Sequence, residues 1–213
     1  MLRVKFEQQL QGLDNLITQM GYLCIVSIDK MTQALVNNDK ELAKELMVSA
    51  DEIDQLENEI QTLCLKLLLQ QQPVARDLRK ISAAMKIITD MERIGDQTSD
   101  ICELIYESNS VQTDINTLVD MAFEAKRMVQ NSVQSYVDNN VELAREVMVS
   151  DDTVDALFGE VRQNFVQLVQ DNQQHDGVAM LDTLMISKYL ERIADHATNI
   201  AEWVEYAVLG VSK

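Results

Sequence analysis

A five-residue motif with two acidic side chains occurs twice in this chain, and its spacing makes it the strongest candidate for chemistry. Residues 92–96 are ERIGD and residues 191–195 are ERIAD. In each motif the Glu and the Asp are four residues apart, so they lie on one face of an α-helix. Two carboxylates in that arrangement repel each other, at a cost of roughly 0.2–0.5 kcal/mol. The repetition predicts that a bound cation, or a positive charge on a partner protein, relieves this repulsion.

A second pair of carboxylates precedes the later motif, at Asp151 and Asp155, again four residues apart. In an antiparallel helical hairpin, residues equidistant from the turn lie level with one another. The midpoint between these acids and those of ERIAD falls in the polar sequence NQQHD, which predicts a turn. The spacing therefore predicts a cluster of four carboxylates in which Asp151 faces Asp195 and Asp155 faces Glu191.

The earlier motif has a similar arrangement that is one acid short. Pro73 marks the corresponding turn, because proline fits at a helix start and disfavours helix before it. Symmetry about this turn predicts that Asp54 faces Glu92. The residue that should face Asp96 is Ala50, which has no carboxylate. The first cluster is therefore expected to contain three acids.

Clustered carboxylates cannot all remain ionised without a compensating charge. All-oxygen ligand sets favour hard cations such as Mg²⁺, Mn²⁺, Ca²⁺ or iron, so both clusters are candidate metal sites. The alternative is that they are solvated helix faces, because Arg93 and Arg192 lie three residues before the motif aspartates and could form ion pairs within each helix. Since the second cluster has one more carboxylate, we expect metal to fill it first.

The composition predicts an all-α protein. Six Gly, one Pro and 5% aromatic residues in 213 supply few of the residues that turns and strands require. The net charge of −17 offers no basic surface for nucleic acid, and the low glycine content argues against a Gly-rich phosphate-binding loop. No apolar run approaches the ~20 residues that span a membrane, and the N-terminus lacks a signal-peptide core. Cys24, Cys64 and Cys102 are expected to be buried free thiols in a reducing cytoplasm.

Helical periodicity and its interruptions predict six helices. Asp39 is expected to cap a second helix that continues without a break to about Gln71. The other polar interruptions lie at 72–73, 108–110, 139–140 and 172–176.

The second half of the chain repeats the pattern of the first. ELAKELMVSADEIDQL (41–56) and ELAREVMVSDDTVDAL (142–157) agree at ten of sixteen positions. The two motifs then align with an offset of 99 instead of 101. The predicted architecture is two tandem antiparallel three-helix bundles related by an internal repeat, at 1–108 and 110–213.

Several stretches resemble the PhoU family of bacterial regulators of phosphate uptake. They are MLRVKFE at the start, QQPVARDLRKI and DMERIGD within 71–96, and ISKYLERIADHATNIAEWVEYAVLG at 186–210. The resemblance covers almost the whole chain and implies multinuclear sites for iron or another hard divalent cation (Mg²⁺, Mn²⁺ or Zn²⁺). Carried over by position, the implied metal ligands are Asp151, Asp155, Glu191 and Asp195 in the second repeat and Asp54, Glu92 and Asp96 in the first.

The resemblance also implies a role. PhoU-like proteins are non-enzymatic, cytoplasmic regulators that act between the ATPase subunit of a phosphate ABC transporter and a sensor histidine kinase. They repress phosphate uptake and the phosphate-starvation response when phosphate is plentiful. By this resemblance the chain would meet the membrane only through protein partners, with a homodimer as one compatible assembly.

The alternative function is a carboxylate-bound metalloenzyme, either an oxidase or a phosphohydrolase. Ferritin-like di-iron bundles use Glu-x-x-His pairs, and no such pair occurs in this sequence. Only two histidines are available for general acid–base chemistry. The residues therefore favour a regulator over an enzyme.

Two further features are expected to be surface positions. Arg76, Arg79 and Lys80 form a basic spot in an acidic chain and are interpreted as a solvated helix face, with a partner contact as the alternative. His196 lies about 100° from Asp195 around its helix, off the acidic face, and is interpreted as a surface histidine.

Overall fold

The computed structural model describes residues 2–71, 73–108, 114–171 and 176–210, and in these ranges the regular structure is entirely α-helical. Gln72, residues 109–113 and residues 172–175 belong to predicted turns and to the predicted repeat boundary, and they lie outside the described residues. The helices are α1 (Leu2–Asn37), α2 (Lys40–Ser49), α3 (Asp51–Gln71), α4 (Ala75–Glu107), α5 (Ile115–Asp138), α6 (Val141–Gln170) and α7 (Gly177–Leu209). The helical structure of the described residues confirms the predicted all-α class.

Equivalent asparagines end the first helix of each repeat. Asn38 and Asn139 both have φ of 50°, and the amide of the next residue donates to the carbonyl five residues earlier at 2.9 Å in both cases. This is the Schellman arrangement, with Asn in the left-handed position that usually requires glycine. The following residues, Asp39 and Asn140, then cap the next helix by accepting from the amide three residues ahead. The predicted cap at Asp39 is confirmed.

The helix predicted to be unbroken from Asp39 to Gln71 is interrupted at Ala50, and this prediction was wrong. Ala50 keeps helical dihedral angles (φ −58°, ψ −32°). Its carbonyl accepts from the Ile53 amide at 3.0 Å and from the Asp54 amide only at 3.5 Å. The chain therefore tightens locally toward 3₁₀ spacing, which separates α2 from α3. In the second repeat, α6 passes through the equivalent position without interruption.

Each repeat packs as a bundle, and the two bundles share one core. Helix α1 packs against α2, α3 and α4, and α7 packs against α5 and α6. The most extensive helix pair, α4 with α7, joins the repeats, and α1 also packs against α5. Buried Leu, Ile, Val, Met and Ala side chains from all seven helices form one continuous cluster. Cys24, Cys64 and Cys102 are buried free thiols within it, as predicted.

The helices that join the repeats run antiparallel. Asp90 of α4 bonds to His196 of α7, whereas Asp100, ten residues further along α4, interacts with Arg192, four residues back along α7. On the other side Asp14 of α1 accepts from Tyr136 of α5 at 2.8 Å, in the same antiparallel sense as the Lys126–Asp29 pair. The equivalent helices α4 and α7 therefore begin at opposite ends of the molecule, as expected for repeats related by an approximate two-fold axis. No helix among the described residues has the length and apolar character needed to cross a membrane.

Candidate metal-binding clusters

The structure brings the four acids of the second repeat together between α6 and α7. The pKa of Asp151 rises from 3.8 to about 6. Burial is the largest cause, followed by the negative charges of Asp195, Asp155 and Glu191. The pKa of Asp195 is also raised, first by burial and then by Glu191. The antiparallel register predicted from the turn therefore places these carboxylates within strong electrostatic reach of one another.

One oxygen in this cluster has no partner. Asp151 Oδ1 is shielded from solvent and accepts no hydrogen bond from any described residue. Buried carboxylate oxygens are normally satisfied by a donor or a cation, because leaving one unpaired carries the full cost of removing it from water. The unpaired oxygen, in an all-carboxylate set, fits a hard metal cation that would bridge α6 and α7.

A lysine also belongs to the second cluster, and the sequence analysis did not identify it. Lys188 Nζ lies 2.5 Å from Glu191 Oε2, one helical turn away, and lowers the pKa of Asp195. The same ammonium lies over the ring of Phe158 on α6, 5.3 Å from its centroid. A positive charge from the protein itself therefore partly balances the four carboxylates.

The acids of the first repeat also face one another, across α3 and α4. The pKa of Asp54 is raised by burial, then by Asp96 and by the adjacent Asp51. The pKa of Glu92 is raised by burial and by Asp96, with a smaller contribution from Asp54. Asp54, Glu92 and Asp96 thus occupy one patch, as the spacing predicted, while Ala50 leaves the fourth position without an acid.

Glu57 is a further acid in the first cluster. It lies one turn after Asp54 on α3 and raises the pKa of Glu92. Its Oε1 is 3.4 Å from Thr89 Oγ1, a long hydrogen bond. The helical spacing of three residues from Asp54 is the signal in the sequence that could have found it.

The arginines behave differently in the two motifs. Arg93 forms the predicted ion pair with Asp96 at 3.0 Å and also contacts Glu92 at 3.3 Å. Arg192, its counterpart, lies across the repeat interface from Asp100 and lowers the pKa of that carboxyl against the larger effects of burial and Asp96. Each cluster therefore has one adjacent cation at a different position of its helix, Arg93 in the first cluster and Lys188 in the second.

The carboxylates share a surface without converging on a single point. Among the described residues, no three His, Cys, Asp or Glu side chains are arranged to hold a metal ion. The ion pairs with Arg93 and Lys188 occupy oxygens of Glu92, Asp96 and Glu191. A cation at either cluster would compete with these ion pairs for the carboxylate oxygens.

His196 was interpreted as a surface histidine, and this was wrong. Its Nδ1 lies 2.9 Å from Asp90 Oδ1, and both side chains are mostly buried where α4 meets α7. Asn199 Nδ2 donates to the same oxygen at 3.1 Å. The three residues form a polar contact between the repeats.

The basic spot near the start of α4 is also less solvated than expected. Lys80 pairs with Asp14 at 2.7 Å, and Arg79 packs against Gly210 at the end of α7. A cleft of about 180 Å³ beside Lys80 is lined by Arg76 and by the buried Asp77. Because the Asp14 and Asp77 carboxylates accompany these cations, the cleft is a poor site for an anion.

The chain matches a known family model twice. The PhoU domain model matches residues 17–105 and residues 118–204, once in each repeat. The chain is 32% identical over 213 residues to a Clostridium acetobutylicum protein named "Phosphate-specific transport system accessory protein PhoU homolog", covering 99% of this chain and 97% of that protein. An Aquifex aeolicus protein of the same name is 34% identical, covering 89% of this chain and 86% of its own length.

Solved structures share the fold. The crystal structure of PhoU from Pseudomonas aeruginosa superimposes with a TM-score of 0.92 at 29% identity, covering 97% of this chain and all of that one. A phosphate transport system regulatory protein from Streptococcus pneumoniae also has a TM-score of 0.92. Its identity is 24%, so it supports the fold alone.

Proposed function

The chain belongs to the PhoU family, and from this premise we propose that it is an accessory regulator of a phosphate-transport system. The observation that carries the proposal is the double match to the PhoU domain, supported by relatives over 30% identical along nearly the whole chain. Those relatives are named accessory proteins of phosphate-specific transport.

The proposed action is negative regulation. The chain contacts the ATPase subunit of a phosphate ABC transporter and a sensor histidine kinase in the cytoplasm, and it lowers phosphate uptake and the starvation response when phosphate is abundant. It is not an enzyme in this proposal, and it reaches the membrane through its partners. The names of the relatives support an accessory role over the alternative of a metal-dependent phosphohydrolase or oxidase.

We further propose that both acidic clusters bind metal, with iron or another hard divalent cation as the occupant. Asp151, Asp155, Glu191 and Asp195 would hold it in the second repeat, and Asp54, Glu92 and Asp96 in the first. The metal would supply positive charge that links neighbouring helices and sets the shape of the acidic face. The unpaired Asp151 oxygen and the raised pKa values support this assignment.

Complementation tests the regulatory proposal. The chain is expressed in a bacterium that lacks its own PhoU protein, and phosphate uptake and a starvation-responsive reporter are measured in phosphate-rich medium. We expect both readouts to fall toward wild-type levels. Co-purification after crosslinking should recover the transporter ATPase subunit or the sensor kinase. Unchanged uptake and reporter activity, with the chain expressed and folded, would refute the regulatory role.

Metal analysis tests the sites independently of regulation. Metal content is measured for the purified chain, for Glu191→Ala with Asp195→Ala, and for Glu92→Ala with Asp96→Ala. Each double variant should lose the metal of its own cluster and retain that of the other, because the clusters lie in different repeats. Metal content unaffected by either double variant would show that the bound ion lies elsewhere.

A further inference from the structure

Lys188 supplies a positive charge to the second cluster from α7. Its ammonium contacts Glu191, faces Asp195 and lies over the Phe158 ring. We propose that Lys188 is the resident counter-cation of this cluster, that it competes with a metal ion for Glu191, and that it sets the metal affinity of the site. This inference rests on the proposed metal-binding function and concerns a residue that is not itself a ligand.

The contacts of Lys188 define a binding position for its ammonium group. Lys188 is three residues before Glu191 on α7, so the pair shares one helix face. The Glu191 side chain is only 13% exposed, whereas that of Lys188 is 45% exposed and can swing into solvent. Phe158 supplies a ring face from α6 that attracts the ammonium and holds it against the cluster.

The first repeat has neither part of this arrangement. With the repeat offsets of 99 and 101, Lys188 corresponds to Thr89 and Phe158 corresponds to Glu57. A lysine over an aromatic ring in one repeat is thus replaced by a threonine beside a carboxylate in the other. The lysine and the aromatic residue are thus both replaced in the first repeat. This is the pattern expected if the binding position for the ammonium is specific to the second cluster.

Lys188 opposes metal binding at Glu191 Oε2. The ammonium donates to this oxygen, so a cation that ligates the same oxygen must weaken or displace that contact. The ammonium near the site also repels the incoming metal. This repulsion favours release of Lys188 from Glu191 when metal binds, which would leave an unpaired positive charge on the surface of α7.

This changes the expected order of filling. The prediction that metal fills the second cluster first counted carboxylates alone. Glu57 restores a fourth acid to the first cluster, and each cluster also has one adjacent cation, Arg93 in the first and Lys188 in the second. The two clusters therefore have equal charge counts, and the second cluster no longer has the advantage in metal affinity that was expected from Ala50 in the first.

The test measures Mn²⁺ binding to chelator-treated full-length protein by titration calorimetry. The background is Glu92→Gln with Asp96→Asn, which leaves only the second cluster. Lys188→Met is added to this background and should tighten Mn²⁺ binding roughly tenfold, because it removes both the competing pair and the repulsion. Lys126→Met is the matched control: it makes the same substitution and removes one positive charge, but Lys126 pairs with Asp29 of α1, outside both clusters. It should leave the affinity unchanged.

A second readout separates competition from simple stabilisation. In chelator at low salt, Lys188→Met should lower the melting temperature of the metal-free protein, and added Mn²⁺ should more than restore it. Mn²⁺ binding that is unchanged or weakened by Lys188→Met, while the parent background binds it, overturns the role of Lys188 alone. If neither the parent chain nor any variant binds Mn²⁺, both this inference and the proposed metal sites are wrong.

Discussion

Asp151→Asn should stabilise the metal-free protein at neutral pH, although it removes a proposed metal ligand. The pKa of Asp151 is about 6 in the folded chain, against 3.8 ordinarily. A shift of that size corresponds in full to about 3 kcal/mol, at 1.36 kcal/mol per pKa unit. Because the side chain is only partly buried, solvent screening reduces the expected effect to about 1 kcal/mol.

The sign follows from where the proton binds. The folded chain retains the Asp151 proton to higher pH than the unfolded chain does, so this residue favours the folded state at low pH. That contribution is complete below about pH 3.8 and is lost as pH rises through about 6. The asparagine has no such dependence, so the two proteins should diverge across this window.

Urea unfolding in the presence of chelator, at several values between pH 4 and 7.5, measures the effect. The stability of Asp151→Asn relative to the parent should increase by about 1 kcal/mol from the lower pH to the higher. Asp120→Asn, at an exposed position on α5, is the control and should stay within about 0.5 kcal/mol throughout. A relative stability that is flat or falls with pH would contradict the electrostatic account of the cluster.

Two other predictions concern how the repeats join. Gly21→Ala should destabilise the protein and Gly12→Ala should stabilise it, as measured by urea unfolding: a Cβ at Gly21 would lie 2.6 Å from Val133 of α5, whereas Gly12 has open space. Both substitutions gain about 1 kcal/mol in helix propensity, but strain of about 1–3 kcal/mol at Gly21 outweighs that gain. Equal effects of the two substitutions on the free energy of unfolding would contradict the close packing of α1 on α5 at Gly21. Asp90→Ala should cost about 1–3 kcal/mol because it leaves His196 unpaired. Asp90→Asn, which retains the acceptor oxygen, should cost less, and an equal loss would show that packing dominates.

The helices and their caps were predictable because they depend on local residues. Asp39 supplies an oxygen to the first turn of the helix it caps wherever that helix lies in the fold. The interruption at Ala50 was not predictable in this way, because alanine is the best helix former and its own dihedral angles stay helical. The break is a change in hydrogen-bond spacing that no residue type in the segment signals.

The sequence predicted which backbone positions of the candidate site lie level, but it did not predict all the side chains that contact the acids. Helix rise per residue is constant, so a turn position is enough to say which acids of a hairpin lie level. The cations that accompany those acids depend on how side chains choose among several partners. Arg93 stays with its own motif while Arg192 crosses to Asp100, although both occupy the same motif position. Likewise the His196–Asp90 contact joins residues 106 positions apart, so it required the packing of α4 on α7 to be known.

The same two helices hold the acidic motifs and join the repeats, and this links the two clusters. Glu92 and Asp96 lie on α4, Glu191 and Asp195 lie on α7, and α4 packs against α7 more extensively than any other helix pair. Arg192 follows Glu191 directly and interacts with Asp100, whose pKa is also raised by Asp96 one turn away. Asp100 therefore lies within electrostatic reach of both Asp96 in the first cluster and Arg192 on the helix that carries the second.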